Sequence, residues 1–336
     1  MKALVTGAAG FVGRHAVERL VSEGHDVVAT DIMAEGLQTM GDCGADRYAC
    51  DLCDPDALLD KMKGVDTVFH VAAFASPWGN KKKFWAINVG GTENVIRAAR
   101  RASVRRIVAV SSTSAVFDGR TPHENIDETT PYPLTFLHPY SETKSVSERL
   151  VRSANSSDLE TVVVRPHLIW GPRDRTFLKR LVDHAKEGPI FHIGGGMTMT
   201  DTTYVDNLVE GMILAAITDK GLGNAYFITN GEPLRYGEFI DRFLDIFELP
   251  KTKGSIPVPV AQALGVGFEA VWAMFRIKRE PMLSRYKLAE LIRTHTYNIS
   301  GSERDLGYRP IVTTEEGFVR IKEWVDAEGM AGKGWS

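Results

Sequence analysis

VTGAAGFVG at residues 5–13 overlaps the end of a short apolar segment, residues 2–6, which predicts a buried first strand. Apolar side chains then recur at helical spacing from residue 11 to residue 20, so the three glycines lie where a strand turns into a helix. Gly7 can adopt the positive φ of such a turn, Gly10 lets backbone N–H groups approach a pyrophosphate, and Gly13 lets the helix pack close to the sheet. With this context on both sides, the stretch predicts a dinucleotide-binding unit. The turn residues expected at the ligand are Gly7, Gly10, Phe11, Val12 and Gly13.

The choice of dinucleotide depends on Asp31, which ends a predicted second strand over residues 25–30. A carboxylate there can accept hydrogen bonds from both ribose hydroxyls of an adenosine, and it would repel a 2′-phosphate. Two like charges ~4 Å apart repel by up to about 4 kcal/mol at an effective dielectric constant of about 20. No Lys or Arg lies between Asp31 and Met40 to offset that repulsion. The sequence therefore predicts NAD rather than NADP as the cofactor.

Charge and composition limit the classes of function. The chain of 336 residues is long enough for one or two domains, and its net charge of −3 gives no reason to expect a nucleic-acid partner. The first residues predict a strand rather than a signal peptide, and the few cysteines are typical of a reducing compartment, so we expect a cytoplasmic protein. Cys50 and Cys53 form a C-x-x-C pair without a second pair or a suitably spaced histidine. We expect buried small side chains there and no metal site.

Strand and helix patterns alternate through the first half of the chain. This order predicts an α/β fold, a Rossmann-type doubly wound parallel sheet. We expect residues 1–165 to form the NAD-binding domain and residues 166–336 a smaller mixed substrate-binding region, with part of residues 200–230 returning to the first domain. After the second strand, the predicted elements are strand 47–51, helix 55–62, strand 65–71, helix 88–102, strand 106–111, helix 140–154 and strand 159–165.

Ligands of such sheets bind beyond the carboxyl ends of the strands. Asp51 could there accept a hydrogen bond from an adenine amino group, and Ala72 and Ala73 are small enough for the backbone to lie against a cofactor. The convergence of several strand ends on one edge strengthens this interpretation. The residues that these strand ends are expected to place at the cofactor are Asp31, Asp51, Leu52, Val71, Ala72, Ala73, Ser111, Pro166 and Ile169.

Tyr140 and Lys144 stand four residues apart in a predicted helix and so share one of its faces. A phenol has a pKa of about 10, and a nearby ammonium together with a nicotinamide cation would favour the phenolate. Tyr140 is therefore a candidate acid/base for an alcohol–ketone couple, and Lys144 is the group expected to lower its pKa. The same spacing arises by chance on solvated helices, but the hydroxyl run at residues 111–114 favours the chemical interpretation.

These features together resemble the extended short-chain dehydrogenases/reductases over essentially the whole chain. The resemblance implies that the hydroxyl of Thr113, or of its neighbour Ser112, holds the substrate oxygen. It also implies that Asn88 contacts the nicotinamide side of the cofactor. Lys144 is expected to bond to the cofactor ribose, and Tyr140 is expected to contact the cofactor as well. The segments that carry it are the glycine turn, Asp31, Asp51-Leu52, HVAA at 70–73, NVGGT at 88–92, SSTSAVF at 111–117, the Tyr140/Lys144 pair and Arg165-Pro166.

Segments of the second half narrow the resemblance to the 3β-hydroxysteroid dehydrogenase family, which includes sterol-4α-carboxylate 3-dehydrogenases and bacterial 2-alkyl-3-oxoalkanoate reductases. The resemblance implies an NAD-dependent enzyme that interconverts a secondary alcohol and a ketone on a bulky apolar substrate. A 3β-hydroxysteroid or sterol is the first expectation, and a 2-alkyl-3-oxoalkanoate of the long-chain oxoacid class is the alternative. The segments are RPHLIWGP at 165–172, DTTYVDN at 201–207, NAYFITNGEP at 224–233 and DLGYRP at 305–310.

Two other functions remain open on the sequence. Nucleotide-sugar epimerases and dehydratases share the fold, but they typically carry an arginine before the residue that matches Asp201. This chain has Thr200 there, which counts against a nucleotide-sugar substrate, although Arg173 or Arg175 could substitute. A non-catalytic NAD sensor is the third hypothesis, and the intact Tyr140/Lys144 pair argues against it.

Residues 257–275 combine many apolar side chains with two polar interruptions, Gln262 and Glu269, that argue against a membrane span. Three interpretations remain open: a core or dimer helix, a lid over an apolar substrate, and an interfacial helix giving weak membrane-surface association. We expect a homodimer. The predicted apolar stripe consists of Phe268, Val271, Trp272 and Phe275, and the basic residues that follow are Arg276, Lys278 and Arg279.

Overall fold

A seven-stranded parallel sheet forms the centre of the molecule in the computed structural model, which describes residues 1–275, 277, 281 and 283–334. Smaller sheets lie beside it. In chain order the strands are β1 (Lys2–Thr6), β2 (Asp26–Asp31), β3 (Asp46–Ala49), β4 (Thr67–His70), β5 (Arg106–Val110), β6 (His123–Ile126), β7 (Glu160–Pro166), β8 (Ile169–Trp170), β9 (His192–Ile193), β10 (Met199–Thr200), β11 (Thr203–Tyr204), β12 (Ala225–Ile228), β13 (Leu234–Arg235), β14 (Ser255–Ile256) and β15 (His295–Tyr297).

Helices cover both faces of the central sheet. In the described residues three helical stretches depart from α-helix: the π-helical turn Trp85–Gly90 and the 3₁₀ turns Thr113–Val116 and Gly194–Gly196. In chain order the α-helices are α1 (Phe11–Ser22), α2 (Ala34–Gln38), α3 (Pro55–Lys61), α4 (Lys81–Phe84), α5 (Gly91–Arg101), α6 (Pro139–Ser153), α7 (Phe177–Glu187), α8 (Val205–Ile217), α9 (Tyr236–Ile246), α10 (Val258–Met274), α11 (Arg285–Ile292), α12 (Ser300–Leu306) and α13 (Thr314–Ala327).

The central sheet has the order β3-β2-β1-β4-β5-β7-β12, and every neighbouring pair of strands is parallel. Helices α1 and α8 pack on one face, where Val17 and Leu208 are buried, and α3, α5 and α6 pack on the other, where Val95 is buried. The chain reverses its winding between β1 and β4, which opens a crevice at their carboxyl ends. The predicted doubly wound α/β fold is confirmed.

Several predicted elements have different bounds in the structure; the strand predicted over residues 65–71, for example, is Thr67–His70. The third strand ends at Ala49, two residues before its predicted end. The helix predicted from residue 88 is the continuation of a helical run that begins at Lys81, because the Asn80 side chain accepts a hydrogen bond from the Lys82 N–H at 2.8 Å and caps it. The π-helical turn follows. There the Asn88 carbonyl accepts hydrogen bonds from Ser147 Oγ and Thr92 Oγ1, each at 2.6 Å.

The second half of the chain builds a smaller region around an aromatic core. Trp170 is fully buried, and its ring lies 5.0–5.5 Å from the rings of Tyr204, Phe239, Phe243 and Phe318. A mixed sheet of order β13-β10-β15-β6 joins three strands of this half to β6 of the first half. Strand β12 returns to the central sheet beside β7, so residues on both sides of position 165 contribute to one sheet.

Helix α10 turns one face toward α11 and the other to solvent. A Cβ at Gly265 would lie 3.8 Å from the Arg285 N, and Glu269 Oε1 accepts a hydrogen bond from the same N–H at 2.7 Å. Leu264 and Val271 are exposed. The predicted stripe is thus divided, since Phe268 and Trp272 are half-buried whereas Val271 and Phe275 are exposed. No helix in the described part of the chain has the length and apolarity needed to span a membrane. The predicted basic tail Arg276, Lys278 and Arg279 lies outside the described residues.

Candidate active site

The glycine turn between β1 and α1 closes on itself. Gly7 has a φ of 69°, and a Cβ there would lie 2.8 Å from the Ala72 Cα. Its carbonyl oxygen accepts a hydrogen bond from the Gly10 N–H at 3.0 Å. A Cβ at Gly13 would lie only 2.1 Å from that same oxygen. Glycine is therefore required at Gly7 and Gly13 by neighbouring backbone, and the start of α1 is left open to a ligand.

Asp31 is held in place at the end of β2. Its Oδ2 accepts a hydrogen bond from the Ala9 N–H at 3.0 Å, and its Oδ1 accepts one from the Met33 N–H at 2.9 Å. These two bonds leave lone pairs on both oxygens, because a carboxylate offers about four acceptor positions. The carboxylate therefore keeps a fixed direction, and it can still accept hydrogen bonds from a diol.

One cavity of about 1000 Å³ runs from the glycine turn to α11. Almost all residues predicted at the cofactor or in catalysis line it, although they come from seven separate strand ends, turns and helices. This convergence is what a shared binding site requires. The predicted residues in its wall are Gly7, Gly10, Phe11, Val12, Gly13, Asp31, Asp51, Leu52, Val71, Ala72, Ala73, Ser111, Ser112, Tyr140, Lys144, Pro166 and Ile169.

Thr113 and Asn88 lie behind the wall of this cavity. Thr113 is 2% exposed, and its Oγ1 lies 2.8 Å from His167 Nδ1, so its hydroxyl is directed at an imidazole. The Asn88 Oδ1 accepts a hydrogen bond from the Phe74 N–H at 2.7 Å, and its Nδ2 donates to Thr143 Oγ1 at 3.0 Å. Asn88 thus fixes the segment containing Phe74, which does line the cavity.

Ser112, the neighbour of Thr113, is the hydroxyl that meets Tyr140. Burial raises the pKa of Tyr140 to about 12, and a hydrogen bond with the Ser112 side chain opposes this rise. The phenol is therefore protonated at neutral pH. Because phenol and serine hydroxyl face the same cavity, an oxygen placed between them could contact both.

Lys144 shares the helical face of Tyr140 but bonds to the sheet. Its Nζ donates to the Val110 carbonyl at 2.7 Å. Burial lowers the pKa of this ammonium to about 8, and Glu148, one turn further along α6, opposes the change. The expected lowering of the Tyr140 pKa by Lys144 is not seen: burial raises this pKa, and the group that opposes the rise is Ser112.

Much of the remaining wall, here called the substrate half of the cavity, is formed by residues that were not predicted from the sequence. They come from the segment after β4 and from α7, α9 and α11, which are distant in sequence. Tyr286 and Glu290 stand four residues apart on α11, a spacing that could have indicated a common face. The residues are Phe74, Ala75, Pro77, Lys83, Ile87, Leu168, Thr176, Phe177, Arg180, Leu181, His184, Tyr236, Ile240, Leu283, Tyr286, Lys287, Glu290 and Leu291.

Buried titratable groups gather beside Tyr140. In the described part of the chain, His167, Glu290 and His295 are the one group of three whose potential ligand atoms lie within 4.8 Å of one another. Burial lowers the pKa of His167 to about 3, and that of His295 well below its usual value, so both imidazoles are neutral. Cys50, in contrast, carries an unactivated thiol, because burial raises its pKa.

Known proteins match both the chain and its fold. The model of the 3-beta hydroxysteroid dehydrogenase/isomerase family matches residues 4–259. A 2-alkyl-3-oxoalkanoate reductase of Stenotrophomonas maltophilia is 38% identical over 96% of this chain and 98% of its own. A decarboxylating sterol-4-alpha-carboxylate 3-dehydrogenase of Mus musculus is 35% identical over 95% of this chain and 89% of its own.

Solved structures agree with the fold. The structure of gox2253 is 27% identical with a TM-score of 0.80, and the match covers 99% of each chain. MoeE5 in complex with UDP-glucose and NAD is 24% identical with a TM-score of 0.76, over 98% of this chain and 99% of its own. Because the family model covers most of its length and the curated relatives cover nearly all of it, this chain belongs to the 3-beta hydroxysteroid dehydrogenase/isomerase family of extended short-chain dehydrogenases/reductases.

Proposed function

We propose that this protein is an NAD-dependent oxidoreductase that interconverts a secondary alcohol and a ketone on a bulky, largely apolar substrate. The observation that carries the proposal is the wall of the cavity. Ser112, Tyr140 and Lys144 line the same space as the glycine turn on one side and the apolar residues of α7, α9 and α11 on the other. Proton-transferring groups and a dinucleotide site are thereby brought to a space large enough for both ligands.

The residues present fit NAD. The glycines of the turn carry no side chain, so a ligand can approach the backbone there. The start of α1 is suited to a pyrophosphate. Asp31 offers acceptors for the ribose diol, and Asp51 and Leu52 lie on the same wall. When bound, NAD supplies the group that accepts or returns the hydride. Solved relatives of this fold, such as MoeE5, carry NAD in their crystals.

Tyr140 is the proposed proton-transfer group. In the reductive direction its phenol donates a proton to the carbonyl oxygen, and in the oxidative direction the phenolate accepts one from the alcohol. Ser112 holds that oxygen by a second hydrogen bond. Lys144 places a positive charge near the phenolate and near the cofactor ribose. Thr113 and Asn88 act from behind the wall as positioning residues, through His167 and the Phe74 segment.

The substrate class follows from the cavity and from the relatives. Apolar side chains of α7, α9 and α11 suit a sterol or a long alkyl chain, and both kinds of substrate occur in the names of the curated relatives. We place 2-alkyl-3-oxoalkanoates, with their 3-hydroxy counterparts, first, because that reductase is the more similar of the two relatives compared above. A 3β-hydroxysteroid remains the second candidate.

A cofactor-reduction screen tests this proposal. Purified protein is given NAD with 2-alkyl-3-hydroxyalkanoic acids, 3β-hydroxysteroids or UDP-glucose, and NADH is followed at its absorbance maximum. We expect NADH in proportion to alcohol consumed for one of the first two classes. Binding of NAD without turnover across the panel would instead favour a non-catalytic sensor. Conversion of UDP-glucose without net NADH would favour an epimerase.

A further inference from the structure

One tyrosine of the cavity wall, Tyr286 on α11, contacts the start of the helix that carries Tyr140. Its ring stacks on that of His138, with the centroids 4.4 Å apart and an angle of 20° between the planes. His138 is the N-cap of α6, and its Nδ1 accepts a hydrogen bond from the Tyr140 N–H at 3.1 Å. Because an N-cap side chain bonds to the first turn of its helix, the ring of Tyr286 acts on the backbone of Tyr140 through one residue.

The imidazole of His138 is in contact with a second aromatic ring. Phe84, at the end of α4, meets it at an angle of 87° with the centroids 5.4 Å apart, and Phe84 is itself fully buried. His138 is 9% exposed, so its ring has little room to turn while both neighbours are present. Aromatic pairs prefer edge-to-face and offset-stacked arrangements of this kind. Removal of the Tyr286 ring would open one side of the imidazole and let its capping nitrogen leave the Tyr140 N–H.

The hydroxyl of Tyr286 lies near the 3₁₀ turn that Ser112 caps. It is 3.4 Å from Ser114 Oγ, and Ser114 Oγ accepts a hydrogen bond from Ser112 Oγ at 3.2 Å. Ser112 in turn bonds to the Tyr140 side chain. The contacts of Tyr286 thus lead to both groups proposed to bind the substrate oxygen. A separation of 3.4 Å is long for a hydrogen bond between two hydroxyls, so we expect the ring of Tyr286 to contribute more than its hydroxyl.

We propose that Tyr286 is a positioning residue, which holds Tyr140 in the right place relative to Ser112 by its stacking on His138. This rests on the function proposed above and adds a residue to it. Tyr140 and Ser112 belong to separate elements, α6 and the 3₁₀ turn, and both must contact one oxygen during proton transfer. A misplacement of about 1 Å can lower the rate of such a step about 100-fold. Tyr286 therefore affects the rate of the chemical step without touching the reacting atoms.

Variants that separate the ring from the hydroxyl test the proposal. Tyr286→Phe keeps the ring, Tyr286→Leu removes it, and His138→Asn keeps a capping acceptor without a ring to stack on. Glu269→Gln is the matched control, because Glu269 contacts the start of α11 from outside the cavity wall. Each protein is given NAD with 2-butyl-3-hydroxyoctanoic acid, unlabelled or deuterated at C3. If the screen identifies a 3β-hydroxysteroid as the substrate, that alcohol, deuterated at C3, is used. KM and kcat per NAD-binding site are measured, so unfolded protein does not contribute.

We expect Tyr286→Leu to lower kcat about tenfold or more, with a clear deuterium isotope effect, because the chemical step then limits turnover. His138→Asn should lower kcat to a similar extent. The double variant should lose no more than the worse of the two single variants, because both changes break the same contact. Tyr286→Phe should stay within about threefold of the wild type, since it keeps the stacked ring. Glu269→Gln should behave as the wild type.

Several results would overturn the inference. Wild-type kcat in Tyr286→Leu, or a rise in KM alone, would remove the positioning role and leave the proposed oxidoreductase intact. Equal losses in Tyr286→Phe and Tyr286→Leu would assign the effect to the hydroxyl, and losses that multiply in the double variant would show that Tyr286 and His138 act independently. A loss of kcat without an isotope effect would place it outside hydride transfer. Turnover of no compound of the screen would overturn the proposed function as well.

Discussion

Tyr140 and Lys144 occupy one face of α6, yet the structure gives them different partners. The phenol bonds to Ser112 and the ammonium to the Val110 carbonyl. Burial moves both pKa values toward the uncharged form, to about 12 for the phenol and about 8 for the ammonium. A positive charge brought by a ligand would therefore favour the phenolate form of Tyr140, whereas it would further disfavour the ammonium form of Lys144.

Replacement of the phenol tests its role. Tyr140→Phe should lower kcat by about 100-fold or more, the scale of a lost general acid/base, while the Kd for NAD stays within about twofold. Stopped-flow turnover and fluorescence titration measure the two quantities. Tyr226→Phe is the control, because its hydroxyl bonds to Asp305 far from the cavity wall. Wild-type turnover in Tyr140→Phe would move proton transfer to another group.

The cofactor preference tests Asp31. We expect the wild-type protein to bind NAD at least tenfold more tightly than NADP, because about 1.4 kcal/mol of the repulsion should survive solvent screening. Asp31→Asn should narrow the ratio of the two Kd values to about threefold. Asp26→Asn, at the other end of β2, should leave it unchanged. Equal Kd values for the wild-type protein would contradict this assignment.

At the scale of single residues, the sequence predicted the site residues whose position is determined by their neighbours in the chain. The glycine turn and Asp31 belong to one strand–helix–strand unit, and their places follow from its local geometry. Ser112 and Thr113 could not be separated, since which of the two hydroxyls faces the cavity depends on the 3₁₀ turn Thr113–Val116 and on His167. Glu290 could not be identified, because only the tertiary fold brings α11 to Tyr140.

Among the elements, α6 is tied to β7 by a buried ion pair. Arg165 Nε donates to Glu148 Oε1 at 3.0 Å, and the Tyr132 hydroxyl donates to the same oxygen at 2.6 Å. Burial alone would raise the pKa of Glu148, but the Arg165 guanidinium outweighs it and holds that pKa below its usual value. The pair thus fixes the helix that carries Tyr140 and Lys144.

Breaking this pair should destabilise the protein. Glu148→Gln should lower the free energy of unfolding by about 3–5 kcal/mol, because it leaves a buried guanidinium without its counter-charge. Urea denaturation measures the change. The contribution should be complete at neutral pH and should be lost as the pH falls through the lowered pKa of Glu148, because only the carboxylate pairs with Arg165. Glu142→Gln is the control: Glu142 also lies on α6, its ion pair with Lys81 of α4 is half-exposed, and its loss should cost under about 1 kcal/mol.

Helix α10 offers a second test at this scale. Phe268 and Trp272 lie on its half-buried side with their rings 6.0 Å apart, and α10 packs on α11, which lines the cavity. Changing both to serine should raise KM for an apolar substrate about tenfold without altering the Kd for NAD, since α11 loses its support. The change on the outer face, Leu264→Ser with Val271→Ser, should leave KM unaltered.

Substitutions on the outer face of α10 distinguish the remaining interpretations of this helix. If Leu264→Ser with Val271→Ser abolishes binding to anionic vesicles, the helix lies on membranes. If it converts a dimer to a monomer in light scattering, the helix joins two subunits. Unchanged behaviour in both measurements would leave a surface helix that only supports α11.

On the scale of the whole molecule, one cavity joins the two halves of the chain. Most residues expected at the cofactor come from β1 to α6, and residues of α7, α9 and α11 line the same space. Strand β12 also returns to the central sheet. We therefore expect one unfolding transition, with far-ultraviolet circular dichroism and tryptophan fluorescence giving the same midpoint.

NAD should raise the midpoint temperature of that single transition without dividing it into two. At a concentration of about 100 times its Kd, it should add about 2.7 kcal/mol to the free energy of unfolding, and NADP at the same concentration should add less. Differential scanning calorimetry measures both. A second transition insensitive to NAD would indicate that the substrate region unfolds on its own.

More of the architecture could be predicted from the sequence in the first half of the chain than in the second. Repeated strand and helix patterns predicted the parallel sheet, because each β–α unit has a strong local signal. A smaller mixed region was predicted, but the pairing of its strands was not, since they are two to four residues long and β6 pairs with β15 across about half of the chain. The substrate half of the cavity depends on such long-range pairings, so the sequence predicted its apolar character but not its residues.

Helix α11 has eight residues and carries both Tyr286 and Glu290. Its Tyr286 ring stacks on His138, which caps the helix that bears Tyr140. The residues proposed for hydride and proton transfer, by contrast, lie on the edge of the central sheet and on α6. A lineage that exchanged residues of Arg285–Ile292 other than Tyr286 would change which molecules it accepts, while the proposed proton donor and its helix stay in place. The same separation offers protein engineers a short cassette in which substrate range can be diversified by itself.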